Sequence, residues 1–151
     1  MKSLIKYLNE KLLINKNFKD EEYALNNILK GVWNKISSDN KYNNNEIDAD
    51  SVFVEAADVS SEHDYKLSDI DGAIDVTRSF KKCKTIYMLD SRHDNVLLDN
   101  LFLTLRKNKI ELTELEWNDS NSYSFEYKET DDFIILVCGG NNYYTFIGKW
   151  N

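Results

Sequence analysis

Apolar residues recur at helical spacing through the first quarter of the chain. In residues 3–13, SLIKYLNEKLL, Ile5, Leu8 and Leu12 share one face, with Leu4 beside them, and Ser3 stands where a cap is wanted. This first helix is predicted to end near Asn15–Asn17, where polarity rises. A second is predicted from Asp20, an N-cap residue followed by Glu21 and Glu22 at the positive end of the helix dipole. Ala24, Leu25, Ile28, Leu29, Val32 and Ile36 form its apolar stripe, and Trp33 adds a large contact area. Gly31 interrupts this helix at a cost of about 1 kcal/mol relative to alanine. The turn residues of Ser37–Asn45 close it.

The next segment is mixed. Val52, Phe53 and Val54 favour extended structure while Glu55-Ala56-Ala57 favours helix; the expectation is a short strand over Ser51–Ala57 and a loop from Val59 to Lys66. Ser68-x-x-Asp71 has the form of a capping box, so a third helix is predicted from Ser68, with Ile70, Ala73, Ile74, Val76 and Phe80 facing inward. Thr85–Leu89 reads as a buried strand. Asp90–Asn95 connects it, with Asp94 as N-cap, to a helix over Val96–Lys107 whose inner face is Leu97, Leu98, Leu101, Phe102 and Leu105. With the strand that starts at Ile110, these elements form a β-α-β unit.

A meander is predicted for the rest. Apolar residues at Ile110 and Leu112, then at Leu115 and Trp117, slip phase by one residue, which predicts a β-bulge near Thr113–Glu114. Tyr123, Phe125 and Tyr127 alternate with polar neighbours as in a half-buried strand. Phe133–Cys138 is continuously apolar and belongs at the centre, covered on both faces. Gly139-Gly140-Asn141-Asn142 is a hairpin turn leading into Tyr143–Trp150, where Tyr144, Phe146 and Trp150 take one face and Tyr143, Thr145 and Ile147 the other. Without repeats or linkers, residues 1–151 read as a single globular domain. The expected class is α+β: helices packed on one face of a mostly antiparallel sheet of four or five strands, ending in a β-meander.

Charge changes this picture most. The segment Glu46–Asp75 holds ten acidic residues and one base, Lys66, while the whole chain has a net charge of -7; everything outside the segment is therefore slightly positive, about +2. An acidic balance opposes binding to nucleic-acid phosphates or anionic membranes and suits a basic protein partner. Asp48, Asp50, Asp58, Glu62, Asp64, Asp69, Asp71 and Asp75 are the candidate partner-binding residues. Phe53, Tyr65, Tyr42 and Trp33 are candidate aromatic anchors among them.

Catalytic motifs are weak by comparison. Asp69-Ile-Asp71-Gly72 matches the start of an aspartyl-nucleophile phosphatase motif, but polar residues replace the apolar strand that must precede it, and Ala73 replaces a hydroxyl. Asp48-x-Asp50 does not open an EF-hand, because Val52 and Phe53 stand where an oxygen ligand and a glycine are needed. His63 and His93 are in no metal-binding frame, and no glycine-rich phosphate loop exists. No catalytic residue, metal or cofactor is expected. Cys83 and Cys138 each adjoin an apolar run and read as reduced core thiols, a disulfide between them being the alternative. The N-terminal segment lacks the unbroken apolar run of a secretion signal, so a cytoplasmic location is expected. The absence of proline and the wealth of Asn, Lys, Ile and Tyr suggest an AT-rich, bacterial coding sequence.

In size, charge and expected compartment the chain resembles the small acidic immunity proteins that bacteria pair with secreted nuclease toxins. The resemblance implies a protein inhibitor, not an enzyme, whose carboxylates occupy the basic surface a nuclease uses for phosphates. A variant of this mechanism is strand addition at the terminal strand Tyr143–Trp150, expected to be an edge. The competing class is a small enzyme or ligand-binding domain with a pocket between helices and sheet, its polar groups drawn from Tyr123, Tyr127, Tyr143, His63 or His93. An assembly subunit without chemistry is the third.

Overall fold

A computed structural model describes residues 2–90, 92–93, 95–115, 125–139 and 144–151, with side chains described from residue 20 onward except at Asn95. Helix α1 spans Lys2–Ser38, a 3-10 turn follows at Asn40–Asn45, and β1 is Glu46–Ile47. Helix α2 (Ala49–Ser61) leads through a 3-10 turn at Leu67–Asp69 into α3 (Ala73–Ser79) and a last 3-10 turn at Phe80–Lys82. Then come β2 (Cys83–Asp90), α4 (Asn95–Lys107), β3 (Thr113–Leu115), β4 (Phe125–Glu129), β5 (Phe133–Cys138) and β6 (Tyr144–Trp150).

The six strands form one antiparallel sheet in the order β1-β2-β6-β5-β4-β3, so the α+β class holds with one or two strands more than expected. Strands β3 to β6 are the C-terminal meander. Helix α4 does connect two strands that run in the same direction, β2 and β3, but three strands lie between them.

The continuous apolar run of β5 explains the layering. Phe133, Ile135 and Val137 pack with Leu25, Leu29, Val32, Trp33 and Ile36 of α1 and Leu98, Leu101 and Leu105 of α4. Ile134, Leu136 and Cys138 point the other way, into Val52, Ala56 and Val59 of α2, Ala73 and Val76 of α3, and Phe80. A strand with two apolar faces needs two covering layers. Helices therefore cover both faces of the sheet, where the sequence reading placed them on one. Trp33 meets Tyr87 edge-on at 5.0 Å and Phe133 at 5.5 Å in the first core; Phe80 meets Phe146 edge-on at 6.3 Å in the second.

Four local expectations are corrected. The two N-terminal helices are one continuous α1, because residues 14–19 contain neither proline nor glycine and asparagine costs a helix only a few tenths of a kcal/mol. Ser51–Ala57 is helix, not strand: the Asp48 carboxylate accepts the Ser51 N–H at 2.7 Å, and Val52, Ala56 and Val59 then fall on one buried face. Ser68 does not cap α3; it lies within the 3-10 turn, and α3 begins after Gly72, its N-cap residue at φ 82°. The bulge near Thr113–Glu114 is absent, since β3 pairs with β4 in unbroken register; the phase slip marks the chain passing from the first core at Ile110 and Leu112 to the second at Leu115. The register irregularity lies instead between Cys83 and Thr85, against β6. Asp94, Trp117, Tyr123, Tyr143 and most of the Gly139–Asn142 turn lie outside the described residues.

A polar knot ties α1 to the β4–β5 turn. Asn26, nearly buried, donates to the Asp132 carboxylate at 2.8 Å and accepts from the Thr130 hydroxyl and the Asp132 N–H. The Trp150 indole donates to the Thr130 carbonyl at 2.8 Å, closing β6 onto the same turn.

Candidate partner-binding surface

The acidic segment folds into the layer that covers the second core. Burying Val52, Ala56, Val59 and Ser60 of α2 and Ala73, Val76 and Thr77 of α3 turns the acidic positions of both helices towards solvent. Asp48, Asp50, Asp58, Glu62, Asp64, Asp71 and Asp75 are accordingly exposed, and Asp69 is half-buried. Asp50 and Asp58 lie in α2, Asp69 in the 3-10 turn and Asp75 in α3, while Asp48 and Glu62 flank α2 and Asp64 and Asp71 lie in the connections.

Two of the eight also have structural work. Asp48 caps α2, and the hydrogen bond from the Ser51 backbone holds its carboxyl below the usual range. Asp69 accepts the Lys66 N–H at 2.8 Å and closes the 3-10 turn. Asp64 lies at φ 62°, a left-handed conformation that aspartate and asparagine tolerate better than other side chains. The other five, Asp50, Asp58, Glu62, Asp71 and Asp75, make no hydrogen bond or ion pair through their carboxylates among the described residues. Ion pairs occur elsewhere: Lys30 with Asp132 at 3.3 Å, and Arg92 and His93 with Asp90 at 2.9 and 3.9 Å.

Between α2 and the α3 side of the layer runs an apolar furrow of about 370 Å³. Phe53, Ala57, Tyr65, Leu67 and Ile74 line it together with Ser61, Ser68 and Lys66. Phe53 is 43% exposed, and Val54, beside it on the outer face of α2, is 53% exposed. Of the candidate anchors, Phe53 is exposed and Tyr65 half-buried on this side of the sheet. Trp33 and Tyr42 are buried in the first core, on the opposite side of the sheet. The furrow was hidden in the sequence by the strand reading of Ser51–Ala57. As a helix, the same residues put Phe53 and Ala57, four apart, along one flank.

Strand addition at Tyr144–Trp150 is ruled out as a mode of docking. β6 lies between β2 and β5 and pairs with both along its length, so its backbone offers no free edge. The sheet ends in two very short strands, β1 and β3.

Of the polar groups proposed for an enclosed site, those among the described residues, His63, His93 and Tyr127, do not line one common cavity. His93, exposed, lines a concavity of about 440 Å³ with Lys35, Lys41 and Tyr42 on the α1–α4 side. His63 follows α2, and Tyr127 packs into the second core. Asp69 ends the 3-10 turn and Ile70-Asp71-Gly72 lead from it into α3, so the motif does not follow a buried strand. Among the described residues no three His, Cys, Asp or Glu side chains are placed to hold a metal ion, and no helix is long and apolar enough to cross a membrane. Both cysteines are free; Cys138 is fully buried, and burial, aided by Glu129, pushes the Cys83 thiol up to about 12.

One acidic group escaped the sequence reading because it depends on strand register. Glu114 and Glu126 stand opposite each other across β3 and β4, beside a concavity of about 620 Å³ that Glu111 and Arg106 also line. Burial raises the Glu126 carboxyl above its ordinary value, and Glu114 and Glu111 add to the effect. Compared with protein-family models, curated proteins and solved structures, the chain gives no match.

Proposed function

We propose that this chain is an acidic binding protein that neutralises a basic protein partner, in the manner of a bacterial immunity protein acting in the cytoplasm on a nuclease toxin. The observation that supports this reading is the exposure of seven of the eight acidic residues in and around α2 and α3, where Lys66 and Arg78 are the bases from Glu46 to Ser79. Such a layer repels itself, and a basic surface relieves that repulsion while being steered towards it. Lysines and arginines that hold phosphates in a nuclease accept carboxylates with similar geometry, so the layer would occupy the substrate surface without being cleaved. The two exposed apolar side chains of α2, Phe53 and Val54, favour a protein over a small cation, because they gain only from apolar contact.

The test is capture of the partner from the cells that make the chain, followed by release with salt. The expected result is a single basic protein, released at moderate salt and not recovered with a chain whose Asp50, Asp58, Glu62, Asp64, Asp71 and Asp75 are neutralised. Equal recovery with the neutralised chain would overturn the reading.

A further inference from the structure

A groove runs between α1 and α4 on the first-core side of the sheet, away from the acidic surface. One end is a cavity of about 260 Å³ with Ile28, Val32, Leu97 and Leu101 in its walls. The other, of about 440 Å³, is lined by Lys35, Lys41, His93 and the exposed Val96. Lys35, Leu97 and Asn100 line both, so the two cavities share a wall. We propose that this groove binds a small amphipathic anion. Its apolar chain lies between the helices, and its single carboxylate or phosphate head meets Lys35 and Lys41. The site is independent of the acidic surface and of the partner assigned to it.

Gly31 shapes the apolar end. A glycine inside a helix costs stability relative to alanine. Close packing against a neighbouring element would account for it, but a Cβ at Gly31 would meet nothing within 4 Å. Gly31 lines the groove beside Val32, so the missing side chain leaves room between the helices. Charge shapes the other end. Lys35 is exposed and forms no ion pair among the described residues. The Lys41 ammonium stands 5.2 Å from the centre of the Tyr42 ring. Asp39, the one carboxylate among the described lining residues, accepts the Lys41 backbone N–H at 3.0 Å as the cap of the 3-10 turn. Asp90, 3.9 Å from His93, is held at two points by Arg92. Two lysines against one capping carboxylate give this end a local positive excess, although the whole chain carries -7. A neutral hydrocarbon leaves the lysines unmatched, an inorganic anion leaves the apolar end empty, and a cation is repelled. An apolar chain with one anionic head satisfies both ends, as in a site with apolar walls and a few placed polar groups.

The experiment titrates the full chain with monomeric decanoate in a calorimeter, with decanol and decyltrimethylammonium as neutral and cationic controls of the same chain length. Decanoate should bind at least about fivefold more tightly than either control. Changing Lys35→Gln and Lys41→Gln together should erase that preference. Gly31→Leu fills the apolar end and should weaken decanoate binding at least about tenfold. The same change should raise the melting temperature by roughly 2–4 °C, because leucine suits a helix better than glycine, so the loss of binding is not a loss of fold. Undiminished decanoate binding in either folded variant would overturn the inference. Equal binding of the three amphiphiles, or no binding of decanoate at millimolar concentration, would overturn it as well. Capture of the chain by phosphatidylglycerol vesicles without binding of monomeric decanoate would overturn it in favour of a membrane surface.

Discussion

Replacing Gly148 with alanine sets a methyl group where the second core has no room for it. Gly148 lies in β6 between Ile86 of β2 and Ile134 of β5. A Cβ there would stand 2.5 Å from the Cys83 sulfur and 3.2 Å from both a Phe80 ring carbon and an Ile134 methyl. Phe80 is fully buried and follows α3 directly, so it fastens the acidic layer to the sheet. Overpacking a filled core costs about 1–3 kcal/mol. Loss of glycine's freedom in the unfolded chain returns about 0.4–1 kcal/mol. A net loss of about 1–2 kcal/mol remains, which for a chain of this size lowers the melting temperature by roughly 2–8 °C. Thermal and urea unfolding of Gly148→Ala, Cys83→Ala and the double variant measure it. Because the sulfur is the closest obstacle, Cys83→Ala should recover more than half of the loss when Gly148→Ala is present, a favourable coupling of at least about 0.5 kcal/mol. A Gly148→Ala chain as stable as wild type, or a strictly additive double variant, would refute the packing argument.

Two further outcomes follow from the sheet. The raised carboxyl of Glu126 makes its ionised form a burden on the folded state, a burden that vanishes as pH falls to the ordinary glutamate value. Glu126→Gln should therefore stabilise the chain at pH 7 by a few tenths to about 1 kcal/mol, the scale of an opposed like-charge pair across strands. The gain should disappear near pH 4, and a gain independent of pH in urea unfolding would contradict it. Burial of Cys138 and the raised Cys83 thiol predict that both cysteines react slowly with a thiol reagent at pH 8 in the folded chain and rapidly in urea. Fast native labelling of Cys138 would contradict its place in the core.

Much of this fold was legible where local pattern and tertiary context agree. The stripe of α4, the strand at Thr85–Leu89 and the apolar run of β5 all describe the elements found. That run also implied two covered faces, and it outweighed the expectation of a single helical layer. Ser51–Ala57 failed for a physical reason: valine and phenylalanine prefer strands only weakly, and a capping aspartate with a 3.6-residue spacing of Val52, Ala56 and Val59 decides for helix. The place of β6 could not be read because its second partner, β2, lies more than fifty residues earlier in the chain. Of the candidate surface, the acids were legible from composition. The furrow was not, because it exists only once α2 is a helix packed beside α3.

The central claim is that the exposed acids in and around α2 and α3 bind a basic partner. Its most direct test is the affinity for that partner as a function of salt, for the wild-type chain and for one with Asp50, Asp58, Glu62, Asp64, Asp71 and Asp75 changed to asparagine or glutamine. Asp48 and Asp69 are kept because they hold the local backbone. With each rim ion pair worth about 0.2–1 kcal/mol, the wild-type chain should bind at least about tenfold tighter at low salt and lose that advantage as salt rises. Equal affinity and equal salt dependence in the two folded chains would contradict the claim.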